Sequence, residues 1–502
     1  MRRARRIARA ALDAVWSGNL TGVFSPRGTA RATEDRMQLD ALAFMPAADL
    51  AEAIRKKQAS PIEAVDAVLG RIERLNPRLN AYCTVTADAA RAEARAAEAA
   101  VLRGDRVGPL HGVPYSVKDL VITRGVRTAF GSRIYEHNVP DEDAPVVERL
   151  RAAGAILVGK TTTPEFGWKG TTDSPLTGIS RNPWDLTKSP GGSSGGAAAA
   201  VAAGLGPLAV GTDGGGSIRI PGSFCGVFGL KPTCGLVPVY PVPTTGTLSH
   251  VGPMTRTVRD AALMLSIMAG PDDRDPLSFP ATGGDYAHGL ETGVRNIRVA
   301  WSPTFGYARV APEVRRVAEA AALRFQEQGC RVELVEKVFE DPDPIWAPLF
   351  YAGVAARLQD ALPEWRDRID PGLLEVIEEG KRLGATAFKK AEFGRASFYQ
   401  NVRKLFLKYD LLLSPTLAAA PFAAGMERPL ESPGQSRLSW VAFTYPFNLT
   451  GQPAATVPCG FTADGLPVGL QIVGARLQDA LVLRAAAAFE AAAPWAGRRP
   501  AL

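Results

Sequence analysis

Between Pro190 and Pro221 the chain reads PGGSSGGAAAAVAAGLGPLAVGTDGGGSIRIP, with Asp213 and Arg219 its only charges. Glycine is the costliest residue to order, so glycines clustered around Ser193, Ser194 and Ser217 imply backbone that approaches another group closely or adopts positive φ. The uncharged part, residues 189–212, is mostly Gly and Ala and contains Pro190 and Pro207, which suits tight internal packing rather than a lipid-spanning helix. In Gly214-Gly215-Gly216-Ser217, successive N–H groups free of side chains can converge on one oxygen, which is what an oxyanion hole requires. Ser217 then stands where a nucleophile would, at the end of that donor loop.

The surrounding sequence reads as one large α/β unit. Residues 47–104 are expected to be helical, with Ser60-Pro61-Ile62-Glu63 as a capping-box start. From about residue 110 short apolar runs (GVPYSVKDLV, AILVG, PLAVGT) alternate with Gly and Pro clusters and with helices such as APVVERLRAAG, the texture of a layered α/β domain. Strand, helix and strand follow at NIRVAWS, PEVRRVAEAAALRFQEQG and RVELVEK. Residues 339–408 read as mainly helical, and 410–474 return to strands before a final Ala-rich helix.

Composition narrows the class. Eight arginines against three acids put +5 of the +7 net charge into residues 1–36, leaving +2 for the rest, too little for a broad phosphate-binding surface. That basic head reads as a loose extension, and it lacks the unbroken apolar stretch and cleavage site of a secretory signal. The five cysteines are scattered with no C-x-x-C pair, so they read as reduced thiols of a cytoplasmic protein with no metal site. GAILVGKT, residues 154–161, fits the spacing of a phosphate-binding loop, which would make the chain a nucleotide hydrolase. Its variable positions are Ala155-Ile156-Leu157-Val158, however, which want to be a buried strand rather than a turn presenting N–H groups, so that function is disfavoured and Lys160 ends a strand.

A serine nucleophile needs a base. None of the four histidines (His111, His137, His250, His288) lies in a stretch with a matching Asp, although sequence distance leaves a spatial triad open. Gly192-Ser193-Ser194-Gly195-Gly196 fits a nucleophile elbow with Ser194 at its centre, but an elbow follows a strand and TKSPGG precedes this one. Cys225, in FCGVFGLKP, reads as a small buried hydrophobe. The better base is Lys118, flanked by Val113, Pro114, Val117, Leu120 and Val121: burial disfavours the ammonium, and a neutral amine is a competent general base.

GVPYSVKD, GGSSGG and GTDGGGSIRIPGSFCG with GLKPT, in this order and spacing, resemble the amidase signature family of Ser-Ser-Lys hydrolases, as do NPWDLTKSPGGSSGG, GPMTRTVRDAA and PFNLTGQPAATVPCGF with GLPVGLQIVG. The resemblance covers roughly residues 45–490 and implies a single large α/β domain, residues 37–502, with a central mixed β-sheet covered by helices on both faces. Within it lie a catalytic core at about 105–270 and a variable helical substrate-mouth segment at about 339–408.

By the same resemblance Lys118, Ser193 and Ser217 form a catalytic triad, with Ser193 held by a cis peptide. Neutral Lys118 draws a proton from Ser193, which relays one from Ser217. The N–H groups of Gly214, Gly215, Gly216 and Ser217 hold the oxyanion, Ser193 protonates the leaving amine, and water releases the acyl group. Ser194 supports the site, and Asp213 and Arg219 brace the donor loop as an ion pair of structural rather than catalytic role. Gly214 stands where the family more often has Thr or Ile, Ala197 where Ser is common and Cys234 where Tyr is frequent; none of these removes a triad member. The expected substrate is a small-molecule carboxylic amide, aryl or bulky and apolar, with carbamates or esters as further candidates. No cofactor, nucleic acid or stable membrane insertion is expected, and a homodimer is left open. The alternative within the same fold is the glutaminase subunit of a tRNA-dependent amidotransferase. Of the segment's aromatics (Phe339, Trp346, Phe350, Tyr351, Trp365, Phe388, Phe393, Phe398, Tyr399), most are assigned to helical packing.

Overall fold

Alternation along the strands sets the layers. Leu411 and Leu413 join one apolar cluster and Leu412 another; the same split separates Val299 and Trp301 from Ala300, and Leu208 and Val210 from Ala209. Residues two apart share a sheet face, so both faces are apolar and both must be covered. In the computed structural model, which describes residues 39–281, 284–430 and 436–502, helices cover them. The helices Ala47–Arg55, Pro145–Ala152, Val258–Met268, Pro312–Glu327 and Asp479–Ala492 pack on one face. Pro61–Leu79, Ala87–Arg103, Gly195–Ala202 and the helices of the segment from Asp343 to Lys408 pack on the other. The basic head, residues 1–36, lies outside the described residues.

The strands of the large sheet are β1 (Tyr82–Val85), β2 (Pro114–Lys118), β3 (Ile156–Thr161), β4 (Leu208–Asp213), β5 (Phe228–Lys231), β6 (His250–Thr255), β7 (Arg298–Trp301), β8 (Arg331–Leu334), β9 (Leu411–Pro415), β10 (Ala454–Phe461) and β11 (Pro467–Gly474). They form one mixed sheet in the order β1-β3-β2-β4-β6-β5-β10-β11-β9-β7-β8. β3, β2 and β4 run parallel, as do β9, β7 and β8, while the strands between them are antiparallel. No described helix is long and apolar enough to cross a membrane.

Most of the expected elements are present at the expected places. Ser60 accepts hydrogen bonds from the N–H groups of Ile62 and Glu63, with Pro61 opening the helix. The helical reading of 47–104 overlooked β1: Asn80 ends the preceding helix in the left-handed conformation, and Tyr82-Cys83-Thr84-Val85 then pairs antiparallel with β3. GAILVGKT is strand β3, as expected, and Lys160 is wholly buried. Its ammonium donates to the Val121 carbonyl and, at 2.9 Å each, to the hydroxyls of Thr123 and Thr128. Burial lowers its pKa to about 8.

Strand order also fixes where chemistry can sit. From β2 the chain passes to β3 on one side and then to β4 on the other, so β2 is a switch point, and crevices in α/β sheets open at the C-terminal ends of strands at such points. Lys118 is the last residue of β2 and Asp213 the last of β4.

Arg219 ties this region to the C-terminal half. It is fully buried, and all five guanidinium protons find acceptors: Asp213 Oδ2 at 3.0 Å and Oδ1 at 2.9 Å, Asn448 Oδ1 at 2.7 Å, Gln471 Oε1 at 2.8 Å and the Thr444 carbonyl at 2.7 Å. Burial alone would raise the Asp213 carboxyl, but Arg219 beside it, aided by Asn448, holds it well below the usual carboxylate range. Replacing Arg219 by Met leaves that carboxylate buried without its cation, and the expected loss is about 3–5 kcal/mol. It should appear as a lowered denaturation midpoint that the double variant Arg219→Met with Asp213→Asn partly restores.

Candidate active site

Lys118 is wholly buried, and among the described residues every hydrogen-bond partner of its Nζ is a hydroxyl: Ser193 at 2.6 Å, Ser194 at 2.9 Å and Thr212 at 2.9 Å. Burial pushes its pKa well below the ordinary 10.5, while the Asp213 carboxylate nearby pulls weakly the other way. A neutral amine has two protons to donate and one lone pair. The Ser194 hydroxyl directs its own proton to the Thr212 carbonyl at 3.1 Å, so it receives one from Lys118. Ser193, closest to Nζ, is then well placed to donate into the lone pair. The Gly192–Ser193 peptide is cis.

Ser194 opens the helix Gly195–Ala202 and follows irregular backbone rather than a strand, so the elbow geometry is absent. Its N–H donates to the Ser217 carbonyl at 3.1 Å, which brings the donor loop against the Ser193-Ser194 turn. Ser193 and Ser217 both line one cleft, and the two make no direct hydrogen bond among the described residues. Ser217 itself is half-buried.

The structure removes one member of the expected donor set. The Gly216 N–H is taken by Asp213 Oδ1 at 2.7 Å, and the Ile218 N–H by Oδ2 at 3.2 Å, because the Asp213 carboxylate sits inside the turn. Gly216 has φ +128, and a Cβ there would strike the Thr444 side chain, so glycine is required. The N–H groups of Gly214, Gly215 and Ser217 have no acceptor among the described residues. Asp213 and Arg219 are the expected pair, joined through both carboxylate oxygens.

The cleft opens to solvent, and its walls include Phe166, Trp168, Tyr240, Trp346, Phe350 and Trp440. Of the aromatics named from the helical segment, Trp346, Phe350 and Tyr351 reach it. Phe339 and Phe398 pack inside instead, and Phe393 is 70% exposed. Sequence reasoning overlooked Thr212, Asn448 and Gln471. A polar residue between apolar neighbours in GLQIVG and PFNLTG was the available signal, since a buried amide needs partners.

The competing nucleophiles and bases fall away. Among the described residues no histidine lines the cleft. His250 is buried, donates Nδ1–H to the Leu248 carbonyl at 2.9 Å, and burial holds its pKa well below 6.5. The Cys225 thiol is buried against the Pro190 carbonyl, and burial pushes it well above 9.0. Lys231, brought to about 7 by burial, donates to the Gln452 carbonyl at 2.5 Å, away from the cleft lining.

Comparison with known proteins identifies the family. The amidase family model matches residues 63–483. An acylamidase of Rhodococcus erythropolis is 43% identical over 474 residues, covering 92% of this chain and 98% of that protein. A glutamyl-tRNA(Gln) amidotransferase subunit of Moorella thermoacetica is 38% identical, covering 92% of this chain and 99% of that protein. Among solved structures, a bacterial aryl acylamidase belonging to the amidase signature enzymes superposes with a TM-score of 0.85 at 33% identity, covering 90% of this chain and 97% of that one. With a buried lysine among serines at the switch strand, and matches along nearly its whole length, the chain belongs to the amidase signature family and is an amidohydrolase.

Proposed function

We propose that the protein is a stand-alone amidase that cleaves uncharged aryl or bulky apolar amides through an acyl-enzyme on Ser217. The observation that carries the reading is the Lys118 amine, which is buried, has its pKa pushed well below the ordinary value by that burial and, among the described residues, hydrogen-bonds only to hydroxyls. Lys118 accepts the Ser193 proton as Ser193 accepts that of Ser217, whose oxygen attacks the amide carbon. The N–H groups of Gly214, Gly215 and Ser217 receive the developing oxyanion. Ser193 returns a proton to the departing amine as the C–N bond breaks, and the same relay then activates water against the ester. The side chain of Ser217 turns toward Ser193 to enter the relay, a rotamer change open to a half-buried serine.

The charge balance of the cleft supports the substrate class. Lys169 is held by Asp173 at 2.7 Å and Asp370 at 2.8 Å, and Arg437 is paired with Glu375. Arg428 and Glu427 stand at the rim. Free glutamine carries two charges that need fixed partners, whereas an anilide needs only the aromatic walls. The likeness to an amidotransferase component makes glutaminase activity the second reading.

Incubated without ATP or partner proteins, the chain is expected to release amine from anilides with kcat/KM at least about tenfold above glutamine, the discrimination of roughly one good apolar contact. A preference for glutamine would reverse the assignment. Ser217→Ala and Lys118→Ala should each lower kcat by at least about a thousandfold. Lys118→Arg should be equally inactive, because a guanidinium stays charged. Since only the neutral amine is a base, kcat/KM should rise with pH along one acid limb whose midpoint lies well below 10.5, and fall on acidification as Lys118 takes up a proton. A profile without that limb would remove Lys118 from the mechanism.

A further inference from the structure

A peptide group is planar, so its C=O and the N–H that follows point in opposite directions, and pinning the carbonyl aims the N–H. Each peptide of the donor loop can be followed in this way. The Asp213 carbonyl, paired with the Gly214 N–H, accepts from Asn448 Nδ2 at 2.8 Å. The Gly215 carbonyl accepts from the Thr444 hydroxyl at 2.7 Å, and the far end of that peptide, the Gly216 N–H, is held by Asp213. The Gly216 carbonyl, paired with the Ser217 N–H, accepts from the Ile220 N–H at 2.7 Å.

The Gly214–Gly215 peptide is different. Like Gly215–Gly216 it lies between two residues without Cβ, so its plane meets little steric resistance to turning over, but here the N–H end has no acceptor among the described residues. Its only hydrogen bond among the described residues comes from the Trp346 indole, Nε1 to the Gly214 carbonyl at 3.1 Å. The indole also lies against Gly215, where an added Cβ would come within 2.8 Å of Cζ2. Trp346 is 5% exposed and stacked on Phe350 at 4.5 Å with 18° between the rings. It belongs to the helix Asp343–Leu358, outside the glycine-rich core, and also lines the cleft.

We propose that Trp346 is a positioning residue: by holding the Gly214 carbonyl it fixes the direction of the Gly215 N–H, so the wall that receives substrate also sets one oxyanion donor. The proposal rests on Ser217 being the nucleophile. A substrate seated well against Trp346 and Phe350 keeps the loop in its working form, which links fit to rate rather than to affinity alone.

The test is Trp346→Phe, which keeps an aromatic ring and removes the N–H. Removing an oxyanion donor outright lowers kcat by about a hundredfold or more, and misaiming one is expected to lower it by about tenfold with KM within about twofold. The inhibition constant of a boronic acid matching the acyl group should weaken in proportion, while that of a non-hydrolysable ketone analogue of the ground state stays unchanged. Phe350→Leu, which removes the ring stacked on Trp346 but keeps the indole N–H, should raise KM and lower kcat less than Trp346→Phe does. Thr444→Val, acting on a peptide still held by Asp213, should lower kcat less than Trp346→Phe does. Unchanged kcat and boronate affinity in Trp346→Phe, or a rise in KM alone, would overturn the proposal, as would a larger kcat loss in Thr444→Val. Full activity in Ser217→Ala would instead remove the nucleophile, so the two failures are distinguishable.

Discussion

The ion pair of Asp213 and Arg219 is the interaction on which the working geometry depends. Both groups are wholly removed from water, which is tolerable only because every donor and acceptor is matched. The pair reaches from the end of β4 to Gln471 on β11 and to Asn448 and Thr444 between β9 and β10. It therefore locks the donor loop to both halves of the sheet. Its carboxylate also fills the inside of the Gly214–Ser217 turn, which decides which N–H groups are occupied and which remain for a ligand. Asp213 and Arg219, expected from the sequence to pair, do so through both carboxylate oxygens.

Around that brace the site is arranged to avoid charge. Lys118 has hydroxyl neighbours rather than a carboxylate partner, and Lys169 and Arg437 of the cleft wall are paired with acids. An apolar, charge-balanced cleft gives little reward to a zwitterion and much to an aromatic group.

The parts legible in the sequence were those set by local rules. Short apolar runs bounded by Gly and Pro located most of the strands, Ser60 with Pro61 marked a helix start, and four apolar residues at 155–158 identified β3 despite the phosphate-loop spacing. The glycine-rich blocks pointed to Ser193 and Ser217 as residues that share one cleft, and the apolar flanks of Lys118 to its burial. What could not be read was set by contacts between distant segments. That Gly216 gives its N–H to Asp213 is a matter of turn geometry, not of residue type. That Trp346 and Phe350 face the cleft while Phe339 and Phe398 pack inside depends on how the helices 343–408 dock, because helical spacing is the same for both. Strand β1 was missed because a strand this short gives too little alternation to read beside two strong helices.

The burial of Lys118 has a consequence for how the enzyme acquires its chemistry. In the unfolded chain this lysine has the ordinary pKa of 10.5 and is an ammonium; closing the sheet under the helix Gly195–Ala202 lowers it, so at any pH between the two values folding itself expels the proton. On the proposed mechanism the nascent chain thus contains a serine and a lysine but no base, and completion of the core supplies one. The same logic runs in reverse: admitting water beside Lys118 favours the ammonium again, so the protonation state of this lysine is a finer gauge of packing at this spot than unfolding is.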